Sequence, residues 1–253
     1  MTTSQVLLST PETGKDAQRY TLLVAGDAQE IAAAQRLRYD VFAGEMGASL
    51  DSPVPGLDVD RFDEHCDHLV VRHDETGAIV GTYRMLPPER AHSSGLYSET
   101  EFDLSALIGM RGKLVETGRS CVHPDHRSGA VVSLVWAGIA RYMLLSGHQW
   151  LAGCASVPLA DGGELAAGVW KTVSAKHYSD EGRRVVPLRP WNVDSVAAPE
   201  RCALPPLLKG YLRLGAKVCG RPAYDEAFGV ADFFVLLGMA DIDQRYLKFF
   251  LGE

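Results

Sequence analysis

The stretch KLVETGRSCVHPDHRSGAVV, residues 113–132, carries the strongest indication of the fold. Residues 113–122 alternate enough to predict a β-strand, and residues 123–128 contain a proline and predict a turn. Residues 129–145 are apolar nearly all round, which predicts a helix buried between layers. A turn that opens a helix presents free N–H groups and the positive end of the helix dipole, which suits a phosphate. The sequence therefore predicts an anion-binding turn, with Arg127 at the start of the helix.

Glu116 lies within this predicted strand among apolar neighbours. A carboxyl group removed from water can have a raised pKa and can act as a general base. The structural alternative is a strand that ends in an ordinary turn, with Glu116 in a salt bridge. The residues of this stretch alone leave both interpretations open.

The rest of the chain alternates between predicted strands and helices. Upstream, residues 20–25 predict a strand, and Asp27 predicts an N-cap that forms a capping box with Glu30, for a helix reaching about residue 45. Residues 68–73 and 78–86 predict a hairpin. Downstream, the predicted strands are 150–156, 183–188, 217–224 and 230–238, and the predicted helices are 164–178, 207–214 and 241–251. This order predicts an α/β sandwich with a mixed sheet, as one domain over residues 19–253 that follows a disordered tail over residues 1–18.

Composition excludes several classes of protein. Lys plus Arg is 25 and Asp plus Glu is 32, so the net charge of 25 − 32 = −7 excludes a nucleic-acid binder held by overall charge. The five cysteines include no Cys-x-x-Cys pair, which argues against a disulfide scaffold and for a reducing compartment. With no signal peptide and no apolar run of about 20 residues, we expect a cytoplasmic protein. A peripheral contact with the inner membrane face is left open.

The segment VHPDHRSGAVV resembles the cofactor-binding turn of the GNAT acyltransferase superfamily. That family usually has Gly at the position of Ala130 and Gly or Ala at that of Val132. The resemblance implies a GNAT-like three-layer sandwich, with helices flanking a central mixed, mostly antiparallel sheet. The two departures favour a donor that carries only phosphopantetheine, on an acyl carrier protein, over one held by the pyrophosphate of CoA.

A second set of motifs is similar to those of the acyl-homoserine-lactone synthases, a GNAT branch that uses acyl carrier protein. Four of that branch's motifs occur here in the same order. Asp58 stands where that branch has Glu, and Gly118 where it has Ser. The matching residues are Arg38 and Phe42 in RYDVF, Asp58, Asp60, Phe62 and Asp63 in LDVDRFD, Gly81, Arg84 and Pro87 in GTYRMLP, and Glu116 and Arg119 in ETGRS.

The chain is longer than those synthases. The segment ETGRSCVHPDHR, together with the later PPLLKGYLRLGAKVCGRPAYDEAFGVADFFVLL, resembles the ornithine N-acyltransferases of ornithine-lipid biosynthesis over roughly residues 20–250. This resemblance implies transfer of a 3-hydroxyacyl group from acyl carrier protein to the α-amine of ornithine, giving lyso-ornithine lipid. It implies no metal and no permanently bound cofactor. A CoA-dependent N-acetyltransferase, a signal synthase and a non-catalytic module are the alternatives.

The resemblance and the chemistry of the residues together assign roles. Glu116 is the predicted base. Arg38, Arg84 or Arg119 is expected to bind the acceptor's carboxylate, and Asp60 and Asp63 its side-chain ammonium. The predicted substrate-binding residues are Arg38, Phe42, Asp60, Asp63, Arg84 and Arg119, and the predicted donor-binding residues are Cys121, Val122, His123, Arg127, Gly129 and Ala130. For each one, a structural role is the alternative.

The remaining candidates are histidines and basic clusters. His65 with His68, and His123 with His126, have spacings that occur in zinc sites, but neither pair has an obvious third ligand, so structural roles are favoured. Acyl carrier protein is strongly acidic, so its docking surface here should be basic. The candidate clusters are Arg111 with Lys113, Arg183 with Arg184, and Lys209 with Arg213 and Lys217.

Overall fold

A computed structural model describes residues 4–10, 18–127 and 129–242. The described strands are β1 (Gln5–Ser9), β2 (Tyr20–Val24), β3 (Asp67–His73), β4 (Ile79–Leu86), β5 (Phe102–Asp103), β6 (Leu114–Val122), β7 (Trp150–Pro158), β8 (Val186–Pro187), β9 (Lys217–Val218), β10 (Ala223–Asp225) and β11 (Val230–Gly238). The described α-helices are α1 (Ala28–Tyr39), α2 (Pro88–Ser94), α3 (Gly129–Ser146), α4 (Glu164–Lys176) and α5 (Pro206–Arg213). The predicted α/β class with a mixed, mostly antiparallel sheet is confirmed.

The chain divides into two compact units. The first unit comprises Met1–Arg90, Thr117–Gly147 and Gln244–Glu253, and the second comprises Ala91–Glu116 and His148–Asp243. Strand β6 begins in the second unit and continues in the first. The single domain predicted over residues 19–253 stays a prediction, because this division does not show which parts fold independently.

In the first unit, β1, β2, β3 and β4 pair in sequence order, each antiparallel to the next. Helix α1 packs on this sheet where Ala34 contacts Leu23 and Val70, all of which are almost completely buried. Asp27 caps α1 as predicted, accepting from the N–H groups of Gln29 and Glu30 at 2.9 Å. Beyond Tyr39 the helix continues as a π-helical segment, Asp40–Glu45.

Helix α3 also packs in the first unit, and its composition explains how closely it approaches β2. A Cβ atom added to Gly138 would lie 2.5 Å from a Cδ of Leu22, which is fully buried. Only glycine fits at this position without a shift of the neighbouring side chain. Among the described helices, α3 alone is long and apolar enough to cross a membrane, and half of it is buried, as expected for a core helix.

In the second unit, β6 pairs in parallel with β7 over Leu114–Glu116, and β7 pairs antiparallel with the whole of β11. Strands β9 and β10 both pair antiparallel with β11. A separate two-stranded sheet joins β5 and β8. Helices α4 and α5 complete this unit.

The structure departs from the sequence predictions in several elements. The disordered tail predicted over residues 1–18 is wrong for Gln5–Ser9, which form β1; residues 1–3 and 11–17 lie outside the described residues. Glu30 accepts from the N–H of Gly26 rather than that of Asp27. The strand predicted over residues 217–224 is split into β9 and β10. The predicted helix 241–251 lies outside the described residues from 243 onward.

Candidate active site

Arg38 is the centre of an ion-pair cluster in the first unit and is completely buried. Its Nε donates to Oδ2 of Asp58 at 2.8 Å, and its Nη1 and Nη2 donate to the two carboxylate oxygens of Asp63 at 2.8 and 2.9 Å. Its Nη2 also donates to the backbone carbonyl of Asp58. A fork of donors that meets a carboxylate in this way is the strongest form of Arg recognition.

Asp63 is held ionised by this arrangement. Burial alone would raise its pKa, but hydrogen bonds from Arg38 and the charges of Arg38 and Arg84 prevail and lower the pKa to about 2. Asp63 also accepts from the N–H of Asp60 at 2.8 Å. Nearby, His68 Nε2 lies 3.1 Å from the backbone carbonyl of Asp63, and burial lowers the pKa of this histidine.

Two more arginines complete the cluster. Arg84 Nη1 donates to Oδ1 of Asp60 at 2.6 Å. Arg119 reaches Asp58 Oδ2 with its Nε at 3.1 Å and Asp60 Oδ2 with its Nη2 at 3.3 Å. Three guanidinium groups therefore meet three carboxylates, so the formal charges of the cluster balance. The side chain of Arg119 is 14% exposed, so Arg119 is the least buried of the three arginines.

The backbone at Arg119 is unusual for a residue other than glycine. Its φ of 51° lies in the left-handed region, although it stands within β6. Such a conformation costs about 1–2 kcal/mol for an L-residue and persists where the surroundings hold it. The ion pairs of Arg119 with Asp58 and Asp60 supply that restraint.

Glu116 lies in the second unit, at the end of the parallel ladder, where β6 opposes Ala152 of β7. It is 5% exposed and accepts from the N–H of Tyr97 at 2.6 Å and from the N–H of Ser98 at 2.8 Å. The 3₁₀ turn Tyr97–Thr100 therefore presents two donors to one carboxylate. Such N–H groups fix the orientation of the carboxylate.

The predicted donor-binding turn follows β6. Cys121 is buried, and burial raises the pKa of its thiol to about 12, so this thiol is a poor nucleophile at neutral pH. The N–H of His123 donates to the carbonyl of Val80 on β4 at 2.8 Å, so it is not available to a bound acyl donor. Because N–H groups alternate along a strand, the N–H of Val122 points away from β4.

Arg127 stands before the first turn of α3, where Gly129 and Ala130 are exposed. Its Nη1 donates to Glu45 Oε1 at 2.7 Å, and its Nε donates to the carbonyl of Val122 at 3.1 Å. An ion pair this exposed contributes at most about 1 kcal/mol, so Arg127 can exchange Glu45 for an incoming anion at low cost.

The sequence analysis did not identify a group of buried carboxylates in the second unit. Glu101, Asp225 and Asp232, the acidic triad, each offer one oxygen, and these oxygens lie within 4.8 Å of one another. The signal available in the sequence was Asp232, a single acidic residue within the apolar strand VADFFVLLG. Nothing in the sequence pointed to the other two as its neighbours.

A family model described as an acetyltransferase (GNAT) domain matches residues 37–137. An L-ornithine N(alpha)-acyltransferase from Brucella abortus (strain 2308) is 38% identical to this chain over 247 residues, which cover 91% of this chain and 88% of that protein. The chain belongs to the L-ornithine N(alpha)-acyltransferase family. It is therefore an acyltransferase, with an acyl donor and an acceptor as substrates.

Two solved structures share the fold of this L-ornithine N(alpha)-acyltransferase family member. An N-acyl amino acid synthase from uncultured soil microbes has a TM-score of 0.54 and 13% identity, covering 90% of this chain and 94% of that one. A CoA-dependent acyl-homoserine lactone synthase has a TM-score of 0.53 and 18% identity, covering 88% of this chain and 81% of that one. At these identities the likeness shows the fold alone. It agrees with the predicted GNAT-like architecture.

In this family member, the predicted substrate-binding residues Arg38, Asp60, Asp63, Arg84 and Arg119 do come together, joined by Asp58. Phe42 is buried in the π-helical segment after α1. All of these residues lie in the first unit. Glu116, the predicted base, lies in the second.

The histidines have structural partners. His126 Nδ1 lies 2.9 Å from the hydroxyl of Tyr20, and its ring packs against those of His73 and His123 at centroid distances of 5.3 and 5.6 Å. Within residues 4–10, 18–127 and 129–242, the set of three potential metal ligands whose ligand atoms lie within 4.8 Å of one another is the acidic triad. Neither predicted histidine pair belongs to it.

The basic clusters differ in how far their charges are already engaged. Arg111 pairs with Glu99 at 2.5 Å. Arg183 lies over the ring of Trp150, and Arg184 over that of Tyr178, at 4.9 and 4.6 Å from the centroids. The third cluster consists of Lys209 and Arg213, both on α5, and Lys217 on β9, and all three residues are exposed.

Proposed function

We propose that this chain transfers a 3-hydroxyacyl group from acyl carrier protein to the α-amine of ornithine, giving lyso-ornithine lipid. The observation that carries the proposal is the 38% identity to an L-ornithine N(alpha)-acyltransferase over 91% of the chain. The buried and oriented carboxylate of Glu116 supports it, because amide formation from an ammonium requires a base.

The reaction is a direct attack. The ornithine α-ammonium first loses a proton to Glu116, directly or through one water. The amine nitrogen then forms a bond to the thioester carbonyl carbon, and collapse of the tetrahedral intermediate breaks the C–S bond. The phosphopantetheine thiolate leaves and takes up a proton, so one amide and one thiol replace one amine and one thioester. The two N–H groups that hold Glu116 keep its carboxylate oriented for the first step.

The donor binds at the predicted turn. The N–H of Val122 stabilises the oxyanion that forms on the thioester carbonyl, a role worth about 3–4 kcal/mol in other acyl-transfer enzymes. The phosphate of the phosphopantetheine binds the N–H groups of Gly129 and Ala130 and the guanidinium of Arg127. Cys121 packs beneath this turn, and His123 holds it to β4.

The acceptor's carboxylate binds Arg119, with Arg84 beside it. Arg119 is the most accessible arginine of the cluster, and its bonds to Asp58 and Asp60 are longer than those of Arg38. Arg38 has its donors engaged by Asp58 and Asp63, so we assign it to holding the loop that carries those aspartates. Phe42 is buried in the π-helical segment that follows α1, the helix of Arg38.

Acyl carrier protein docks on the cluster of Lys209, Arg213 and Lys217. An acidic partner attracted to a basic surface associates more slowly as salt screens the charges. We therefore expect kcat/KM for acyl carrier protein to fall steeply with added salt. Charge reversal at Lys209 and Arg213 should reduce this salt dependence and leave kcat unchanged.

The experiment that tests the function is a donor and acceptor swap with purified protein. Acyl carrier protein loaded with a 3-hydroxyacyl group, and the corresponding acyl-CoA, are each offered with ornithine, and products are identified by mass spectrometry. Lyso-ornithine lipid formed from the carrier-protein donor supports the proposal. Transfer only from CoA would overturn the donor assignment, and the absence of an ornithine product would overturn the function.

The role of Glu116 has its own test. Glu116→Gln keeps the size of the side chain and can still accept a hydrogen bond from the turn at Tyr97, but it is a far weaker base. We expect kcat to fall about 100-fold or more, within the range of general-base contributions. Glu99→Gln is the matched control, since Glu99 lies on the same turn. Near-normal turnover of Glu116→Gln across the pH range would remove Glu116 from the mechanism.

A further inference from the structure

The acidic triad is buried in the second unit although its residues are charged at neutral pH in water. Glu101, Asp225 and Asp232 are 6%, 7% and 2% exposed. Buried carboxylates that share a small space repel one another and are costly without a positive partner. The pKa of Glu101 reflects this: burial raises it far above its usual range, and the charges of Asp232 and Asp225 raise it further.

Glu101 supplies an independent sign that a partner belongs here. Among the described residues, no group donates a hydrogen bond of good geometry to either of its carboxylate oxygens, although both are buried. The side chains of Asp232 and Tyr97 are near enough for hydrogen bonding to raise and lower its pKa, respectively, but neither meets a Glu101 oxygen with good hydrogen-bond geometry. Buried polar atoms in native proteins are nearly always satisfied, so such oxygens indicate a ligand that donates to them.

The strand registers place two members of the triad, Asp225 and Asp232, on the same face of the sheet as Glu116. Glu116 opposes Ala152, whose side chain shares a face with those of Cys154 and Ser156, two and four residues further along β7. Ser156 in turn opposes Asp232. Since directly opposed residues project to the same side, Glu116 and Asp232 lie on one face. Asp225 opposes Val230, two residues from Asp232, and so shares that face.

The same face gives access from solvent. Cys154 is partly exposed and Ser156 is exposed, whereas their neighbours Ala155 and Val157 are buried. Ser98 links Glu116 to Cys154 on this face, because its N–H donates to Glu116 and its Oγ lies 3.5 Å from Sγ of Cys154. Burial raises the pKa of the Cys154 thiol, and the nearby carboxyls of Glu101, Asp232 and Glu116 raise it further.

The dimensions fit a diamine with one end at Glu116. Four residues along β7 and two strand spacings across the sheet separate Glu116 from Asp232, which puts their Cα atoms about 16 Å apart at the usual spacings. The lengths of the two acidic side chains can shorten this by several ångströms, so about 12 Å between carboxylates is within reach. The two nitrogens of extended ornithine are five single bonds apart, about 6 Å. A hydrogen bond of about 2.8 Å at each end gives a total of about 12 Å from one carboxylate to the other.

The spacing within the triad fits an ammonium group. Three oxygens that each accept from one tetrahedral nitrogen at about 2.8 Å lie about 4.6 Å apart. The oxygens of the triad all lie within 4.8 Å of one another, which is close enough for one ammonium to donate to all three.

We propose that Glu101, Asp225 and Asp232 bind the terminal ammonium of the amino-acid acceptor and so determine its specificity for a cationic side chain. This inference rests on the proposed function for the identity of the acceptor. It replaces the expectation that Asp60 and Asp63 bind that ammonium, because those aspartates already pair with arginines. The triad takes part in no chemical step. It selects the side chain and aligns the α-amine with Glu116.

The test compares ornithine with 2-aminopentanoate, which has the same carbon chain without the terminal amine. For the unmodified protein, we expect kcat/KM to favour ornithine by about 100-fold or more, as for a site built to bind one polar group. Glu101→Gln should lower kcat/KM for ornithine about 10- to 100-fold, mainly through KM. Its kcat/KM for 2-aminopentanoate should stay within about threefold of the original. A purely structural role would lower both values together.

Asp232→Asn is the second variant, and Glu99→Gln, which changes an acidic residue on the neighbouring turn, is the control that should leave the preference unchanged. Thermal unfolding of each variant verifies that it is folded. If both triad variants keep the original preference for ornithine while transfer to ornithine continues, the triad assignment is wrong and the proposed function stands. If the unmodified protein acylates no amino acid, the proposed function fails.

If the unmodified protein acylates no amino acid, calorimetric titration with ornithine in the absence of an acyl donor still tests the role of the triad. Ornithine binding that is lost in Glu101→Gln and kept in Glu99→Gln supports the assignment. Equal binding by all three proteins, or none by the unmodified protein, overturns it. The protein is also titrated with MgCl₂, MnCl₂ and CaCl₂. If one of these ions stabilises the protein and Glu101→Gln abolishes that effect, the triad is a metal site and the ammonium assignment is overturned.

Discussion

Replacement of Asp63 by Asn removes the negative charge on which the arginine cluster depends. In the folded chain the pKa of this carboxyl is lowered from 3.8 to about 2, because Arg38 and Arg84 outweigh the effect of burial. The difference of nearly 2 pKa units corresponds to about 2.5 kcal/mol of folding free energy, since each unit is worth about 1.4 kcal/mol. Loss of the carboxylate also leaves Arg38 and Arg84 short of a partner, so we expect Asp63→Asn to cost at least 2.5 kcal/mol at pH 7, as an order of magnitude.

The sign of the pH dependence follows from the direction of the shift. A carboxyl whose pKa is lower in the folded state stabilises fully above its unfolded pKa, and this contribution is lost as the pH falls from about 4 towards 2. Urea unfolding at pH 7, 5, 3.5 and 2.5 measures it. The unmodified protein should lose more stability over this range than Asp63→Asn does. Asp125→Asn, at an 85% exposed side chain, is the control. Equal stability of Asp63→Asn and the original at pH 7 would refute the reasoning.

Three further changes follow from the packing and the turn. Gly138→Ala should destabilise the protein by about 1–3 kcal/mol in thermal or urea unfolding, because the new methyl group meets Leu22, whereas Gly44→Ala, with open space around its Cβ, should not. Cys121→Ala should retain acyl transfer. In the original protein, iodoacetamide at neutral pH should not inactivate the enzyme by reacting with Cys121, because burial raises the pKa of that thiol to about 12. Arg127→Ala should leave the unfolding free energy within about 1 kcal/mol of the original and raise KM for the acyl donor. An unchanged donor KM would remove Arg127 from the phosphate site.

Patterns confined to one element predicted the fold well. The strand and helix of residues 113–145 agree with β6 and α3 to within one residue at each boundary. The strand predicted over residues 217–224 failed because its break depends on a tertiary contact. Gly220 has a φ of 151°, and a Cβ there would lie 2.4 Å from the carbonyl oxygen of Val185. Neither the close approach nor the backbone angle can be read from alternation of side chains.

The arginine cluster shows a different limit. Motif order grouped Arg38, Asp60, Asp63, Arg84 and Arg119 correctly, because residues required at one site recur in the same order along related chains. Their pairing was not predictable, since any of the three arginines could have faced any of the aspartates or a substrate. The balance of three positive and three negative charges became visible only with the distances. It assigns Arg38 to the loop and leaves Arg119 as the accessible member.

The two sets of buried acids differ in what satisfies them, and that difference bears on the acceptor. Asp58, Asp60 and Asp63 face guanidinium groups of the same chain, so binding an ammonium there would mean displacing an arginine. Glu101, by contrast, has buried oxygens to which no described residue donates a hydrogen bond of good geometry, and its raised pKa shows that its ionised form is disfavoured without a ligand. An incoming ammonium would favour the ionised form of Glu101 and would break no existing ion pair there. Buried acidic residues thus stabilise the fold in the first unit, where arginines of the chain neutralise them. In the second unit they select the substrate, whose ammonium supplies the positive charge.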